Sequence, residues 1–482
     1  MKRKSLLFAT LLAAVLPFTA IAAGTELTVA FFIFGSTPKD MKLVQDEVNK
    51  ISSSKIGVTV KFLPISYGSW EQQLNLMLAS GEKLDLMASG GATFGPQIAK
   101  NQLLPIDDFV AKYGSGIMKS MDPAYLAAGK MKGKLYAVPS VRDFASNLGV
   151  AMRKDILDKC KIDPKSIKTY DDLAAVLRKV AKAEPDLVPL APGIENRSFV
   201  DFMYTWDSLS DGFGVLMNNG ASLKVVDLYE TPEYKALVKK LYGWYQEGIL
   251  QKDATTNKDH CTSLVRADKL FGFLTTMKPG IQAQETKECG MEMVTVGILP
   301  ALATTSSVAN VMWSVPRNST APDKAVQFLD LMYSDPDLVN LFDWGIEGKH
   351  YVKLDGGVIG YPEGVDATNT GYGLTMGWLF GNQLISYIWK GDSPTLFKEL
   401  DAFNRSATKS KALGFTFDNS SVKTEVAAVT NALNRYKLAI ECGAVDPDKT
   451  LPEMVKDMKA AGLDKIIAEK QRQLDAWAAA SK

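Results

Sequence analysis

The stretch Leu27–Phe62, LTVAFFIFGSTPKDMKLVQDEVNKISSSKIGVTVKF, decides the fold. Its apolar opening, Leu27 to Phe34, reads as a short strand buried on both faces. Thr37 and Pro38 read as the cap and first turn of a helix, in which Met41, Val44, Val48 and Ile51 form one apolar stripe. Gly57 stops that helix, and Val58, Val60 and Phe62 alternate as a second strand. The pattern is β-α-β, and it repeats. Trp70, Leu74, Met77 and Leu78 share a helical face, Gly81 closes the helix, and Leu84 to Ala88 is a third strand running into Ser89-Gly90-Gly91. Alternating strands and helices predict an α/β fold with a mainly parallel sheet flanked by helices. Such sheets take ligands beyond the carboxyl ends of their strands, which points to Phe34, Tyr67 and the loop 89–91.

Further along, Lys134 to Val138 is a strand that stops at Pro139, and the pattern then restarts. Thr169 caps a helix carrying Leu173, Val176, Leu177 and Val180, and Thr231-Pro232 opens another that closes at Gly248. Glu292 to Leu299 is strand-like. Helices are expected over Asp323 to Tyr333 and Pro336 to Phe342, and from Ser393-Pro394 and Leu451-Pro452 onward. The chain thus reads as two α/β halves and a helical C-terminal part, with no short-period repeat.

At the front, Lys2, Arg3 and Lys4 precede the apolar run Leu6–Phe18, and Ala20-Ile21-Ala22 closes it with a small-x-small pattern. This reads as a cleaved secretory leader, residues 1–22, too short to span about 30 Å of hydrocarbon. No cysteine stands where cleavage would leave it first, so the expected product is an exported, unanchored protein. The formal charge is +1 and falls close to neutral without the leader, so nothing favours nucleic acid electrostatically. Cys160, Cys261, Cys289 and Cys442 allow two disulfides in any of three pairings; four free buried thiols are the equal alternative. No Walker loop, Rossmann fingerprint or nucleophile elbow is present.

Several segments together resemble the family 1 extracellular solute-binding proteins of ABC importers, the group that includes maltodextrin-binding proteins. They are Tyr67–Trp70 with Leu78–Leu86, Gln102–Asp108, Gly133–Pro139, and Tyr234–Asp253 with its Tyr245-Gln246-Glu247-Gly248. Gly345–Tyr351, Ala407–Asp418 and Lys470–Leu474 with Trp477 resemble one branch, which carries a C-terminal domain of unassigned function and is often described as sugar-binding. The resemblance implies a two-lobed, type II periplasmic-binding-protein-like clamp. It places 23–139 and 297–345 in an N-terminal lobe and 140–296 and 346–482 in a C-terminal lobe. Hinge crossovers fall near Pro139, at Gly297–Pro300 and near Gly345. It also implies a monomer that captures a carbohydrate, an oligosaccharide in view of its branch, and delivers it in the periplasm to membrane permease subunits. Neither a cofactor nor a metal is called for, and no catalytic step.

A sugar offers hydroxyls on its edge and C–H groups on its face, which aromatic rings cover while polar side chains bond the edge. The candidates on that ground are Phe34, Tyr67, Trp70, Tyr204, Trp206, Asp207, Trp313, Trp344 and Trp378. Trp70 also fits a buried helical stripe, Trp313 a buried strand, and Trp389 and Trp477 read as packing. Arg142 and Asp143 follow the first crossover, where they either serve the site or form a surface pair. Lys278 follows a strand and faces either the cleft or solvent. Glu347 is a candidate ligand contact; its spacing from His350 is also that of a helical metal pair, which Gly345 and Gly348 oppose. Two rival functions stay open: a glycoside hydrolase with paired carboxylates, and a binding protein that feeds a membrane sensor. Arg142, Arg197 and Lys278 would equally suit an acidic sugar.

Overall fold

The computed structural model describes residues 24–193 and 197–480; the expected leader lies outside the described residues. The chain begins with β1 (Thr25–Ile33), α1 (Met41–Ile56), β2 (Val58–Ser66), α2 (Tyr67–Ser80), β3 (Leu86–Ser89) and β4 (Ala137–Pro139). It continues through β5 (Asn147–Arg153), α3 (Tyr170–Ala183), β6 (Val188–Ala191), α4 (Pro232–Glu247), β7 (Leu270–Met277), α5 (Ile281–Cys289) and β8 (Met293–Gly297). Next come β9 (Met312–Ser314), α6 (Pro322–Ser334), α7 (Pro336–Trp344) and α8 (Leu396–Ser406). The last long helices are α9 (Lys423–Asn434), α10 (Pro447–Ala460) and α11 (Leu463–Ala480).

Two sheets organise two lobes. The first has the order β2-β1-β3-β9-β4 and the second β8-β5-β7-β6. Both are α/β, but mixed where a mainly parallel sheet was expected. β1 runs parallel to β2 and β3, as the β-α-β pattern requires. β9 is antiparallel to β3 and β4 because it enters the first sheet on the chain's return from the second lobe. β5 and β8 are the strands by which the chain enters and leaves the second lobe, so they pair antiparallel. β7 is antiparallel to β5, and β6 is parallel to β7.

The first hydrophobic core takes Leu27, Val29, Phe31 and Val44 from the opening unit, then Trp313, Phe328 and Phe342 from the returning chain. The second takes Val150, Leu173, Leu177, Tyr234, Trp244 and Phe271, and is completed by Val429, Met454, Met458 and Ile466 of the helical C-terminal part. Where 346–482 was expected wholly in the second lobe, Tyr372, Leu374, Met376, Phe380, Ala407 and Leu413 pack in the first core. Phe380 stacks on Phe342 at 4.6 Å and meets Phe31 edge-on at 5.2 Å. Gly381 then passes so close to α6 that a Cβ there would lie 2.0 Å from the Met332 carbonyl oxygen, at a φ of +61°; only glycine fits. The chain therefore does not cross near Gly345. It crosses after α8, where Thr408–Lys409 pairs with Leu302–Ala303 and Phe417 reaches the second core.

Helix starts also differ: α10 opens at Pro447 behind the cap Asp446, ahead of the expected Leu451-Pro452, so that Pro452 lies inside the helix, and α1 opens later than expected. Thr37-Pro38 was expected to open α1, but the N-cap is Asp40, whose side chain makes no capping bond. Its carboxylate instead takes His350 Nε2 at 3.0 Å and Lys349 Nζ at 3.1 Å. The Asp40 carboxyl is held below its usual range, chiefly by the His350 hydrogen bond. This contact fixes the turn after α7 against the first lobe.

Candidate functional site

β1 and β2 run side by side in register, with Ile33 opposite Ser66. The carboxyl ends of both strands therefore deliver their next residues to one place. Strand alternation sends Phe31 into the core and Phe32 to the opposite face. There Phe32 meets Tyr67 and Trp70, which lie three apart on α2, at ring distances of 5.3 and 5.7 Å. Phe34 packs against Tyr67 at 5.0 Å. Trp378 closes the cluster, 6.0 Å from Phe32 and 6.4 Å from Phe34. Phe34 and Tyr67 are 59% and 57% exposed, unusual for rings this size. The result is an aromatic shelf at the top of the first sheet, its outer rings open to solvent.

The segment carrying Trp378 is held from behind. The Leu379 carbonyl accepts from the Trp313 indole N–H and from the Ser140 hydroxyl, both at 2.7 Å. The Val141 N–H donates to the Gly381 carbonyl at 2.7 Å. The shelf is thus tied to the first crossover, 140–146. Arg142 of that crossover lays its guanidinium 5.5 Å from the Trp378 ring centre and donates from Nε to Asp143 at 2.6 Å. The other Asp143 oxygen takes Lys278 Nζ, from the end of β7 in the second lobe, at 3.2 Å. Burial alone would raise the Asp143 carboxyl, but the Lys278 and Arg142 cations outweigh it and hold it below the ordinary range. An unbroken line of contacts therefore runs from the shelf, through the hinge, to the opposite lobe. Asn404 of α8 steadies it, donating to the Arg142 carbonyl at 2.5 Å and accepting from the Phe144 N–H at 2.9 Å.

Of the residues expected from sequence, the fold gathers Phe34, Tyr67, Trp70, Arg142, Lys278 and Trp378 at this one place. Tyr204 stands apart, half-buried on a small cavity between the crossovers that Ser146, Leu148, Leu299 and Leu302 also line. Burial raises its hydroxyl pKa. Five candidates sit elsewhere. Trp313 is fully buried and supports Trp378 from the core, leaving no ring face for a ligand. Trp206 is buried in the second core, 6.5 Å from Tyr234. Asp207, also buried, accepts from the Leu209 N–H at 2.9 Å, and burial raises its pKa. Trp344 packs on Trp389 at 5.1 Å and donates to Ser386 and Tyr387. Glu347 is exposed and pairs with Lys353 at 2.9 Å, while His350 is buried and turned to Asp40; the two do not converge. Phe32 was missed, since inside a continuous apolar run nothing marks which residue faces outward. Asp143 was legible only as a neighbour of Arg142.

Two α/β lobes joined by crossovers, with an aromatic shelf and a charged triad beside the hinge, have the architecture of a solute-binding protein. The chain belongs to the bacterial extracellular solute-binding protein family, which matches residues 35–337. A domain of unknown function (DUF3502) matches residues 411–479. The chain is 28% identical over 467 residues to a carbohydrate ABC transporter substrate-binding protein of Streptococcus pneumoniae serotype 4 (strain ATCC BAA-334 / TIGR4), covering 95% of this chain and 92% of that one. The solved N-glycan transport solute binding protein (NgtS) of Streptococcus pneumoniae is 26% identical, with a TM-score of 0.83 over 95% of this chain and all of that one. Complexes of the same protein with Man1GlcNAc and Man5GlcNAc are each 25% identical and give TM-scores of 0.72 and 0.69, over 94% and 95% of this chain and 99% of each of those. A solved alginate-binding protein, 18% identical, shares the fold with a TM-score of 0.62 over 94% of this chain and 98% of that one. Among the described residues no helix is long and apolar enough to cross a membrane.

Proposed function

We propose that this protein captures a carbohydrate, an oligosaccharide, on the shelf formed by Phe34, Tyr67, Trp70 and Trp378. The observation that carries the reading is the exposure of Phe34 and Tyr67 beside Trp378. Rings left open to water at a hinge suit the C–H face of a sugar. Arg142, Asp143 and Lys278 supply the polar edge. The solute is held between the lobes, and closure follows because it touches both only in the shut form. Supporting motion of this kind, the match to the pneumococcal protein weakens from 0.83 to 0.72 and 0.69 in its two named sugar complexes. Rotating one lobe against the other would lower such a score with each lobe unchanged.

The loaded protein then docks on permease subunits of an ABC importer. It works as a monomer, exported to the periplasm with its leader removed and no lipid anchor. The sugar leaves unaltered. Asp143 gives that reading local support, since its oxygens are engaged by Arg142 and Lys278 and are poorly placed to act as acid or base. A thermal-shift screen of mono- and oligosaccharides, with mannose- and N-acetylglucosamine-containing glycans among them, tests the proposal. Ligand at 100 times its Kd adds about 2.7 kcal/mol of stability. If no glycan raises the melting temperature the carbohydrate reading fails, and shortened glycans after incubation would refute the claim that the cargo is untouched.

A further inference from the structure

A second concavity lies far from the shelf, between α4 and α10, with a volume of about 400 Å³. That is within the range of about 300–1,000 Å³ usual for small-molecule sites. It exists only because the C-terminal part packs on the second lobe, each supplying one wall. Val238 and Leu451 are its buried floor, with Val455 beside them, and no aromatic ring lines it. Its rim carries four lysines. Lys239 pairs with Asp448 at 2.7 Å and Lys459 with Glu230 at 2.7 Å. These pairs bridge the two walls at two points, Lys239 in the middle of α4 to the start of α10, and Glu230 just before α4 to the end of α10. Among the described residues Lys235 and Lys456, also on the rim, have no ion-pair partner.

We propose that this groove binds a single-chain aliphatic carboxylate, its alkyl tail on Val238, Leu451 and Val455 and its head group against Lys235 and Lys456. The absence of a ring argues against a sugar, which needs a flat apolar face to stack on. The two ion pairs that bridge the walls argue against a partner helix, which needs an unbridged groove to lay its apolar face along. The unpaired lysines favour an anionic head over a neutral or cationic one. They act as compact point charges, so they do not demand a planar, bidentate group.

The test is calorimetric titration of the whole protein with decanoate below its micelle concentration, beside butyrate, decanol and decyltrimethylammonium. Saturable one-to-one binding of decanoate is expected, with butyrate, decanol and the cation each at least about tenfold weaker. Reversing the free charges (K235E with K456E) should weaken decanoate about tenfold or more, and V455W, which fills the groove, should abolish it. Neither variant should alter glycan affinity at the shelf, which also reports that the variants are folded. No saturable binding of decanoate, equal binding of the cation, or undiminished binding to both variants would overturn the proposal. Binding of an acidic helical peptide in place of decanoate would do the same.

Discussion

Asp343 sits directly beneath the shelf, at the end of α7, and is only 1% exposed. Its Oδ1 has no hydrogen-bond partner, and a Cβ added at Gly377, the residue before Trp378, would lie 2.5 Å from Oδ2. Burial pushes this carboxyl up to about 7, opposed only by the Ser386 hydroxyl. An unfolded aspartate titrates near about 3.9. Well below pH 4 both states hold the proton and the group is neutral in the balance. As pH rises the unfolded chain ionises first, so stability falls until the folded carboxyl ionises too, and is level above that. The full loss is about 4 kcal/mol, of which about 3 kcal/mol falls between pH 5 and 8. Asp343→Asn keeps the shape and removes the titration. Urea unfolding of both proteins at pH 5 and pH 8, followed by tryptophan fluorescence, measures the difference of differences. Glu285 and Glu441 are also pushed up to about 7 by burial, but they remain in both proteins and cancel. The variant should lose about 3 kcal/mol less than the parent over this range. Equal losses, to within about 0.5 kcal/mol, would refute the reasoning, whatever the variant's absolute stability.

Other outcomes can be checked directly. Trp378→Ala and Tyr67→Ala should each weaken glycan binding about tenfold, about 1.4 kcal/mol, measured by calorimetry. Trp206→Phe should leave affinity unchanged. Lys470 is fully buried, donates to the Phe213 carbonyl at 2.7 Å and pairs with Asp211. Replacing it by methionine leaves Asp211 only the Phe213 N–H and the Phe213 carbonyl without its donor, and should cost about 1–3 kcal/mol of stability; adding Asp211→Asn should restore part of it in the same denaturation assay. All four cysteines are free and buried. A thiol reagent should therefore find none in the native protein and four once it is unfolded in the absence of reductant; two or none on unfolding would mean disulfides.

The sites read from sequence fared according to where their signal came from. Phe34 and Tyr67 are placed by strand ends, which are local and periodic, and they come together; Trp70, whose helix spacing equally fits a buried stripe, joins them half-buried. Trp378 has Gly377 before it and Gly381 three residues after, and glycine permits close approach. Trp206 is core, and Trp313 is the buried strand residue that its alternative reading expects. A tryptophan beside polar residues looks the same in a sequence whether its ring faces a cleft or another helix.

Hydrophobic periodicity, caps and turn glycines act within a few residues, so the sequence by itself determined the β-α-β units, the two α/β halves and the helical C-terminal part. Which lobe received each later segment was decided only in three dimensions. Residues 346–413 joined the first lobe because Tyr372 and Phe380 bury against partners hundreds of residues earlier, and no local pattern encodes such a partner. The same holds for the line from Trp378 through Arg142 and Asp143 to Lys278. It is made of side chains from three distant segments, which only the packing of both lobes on their crossovers brings within reach.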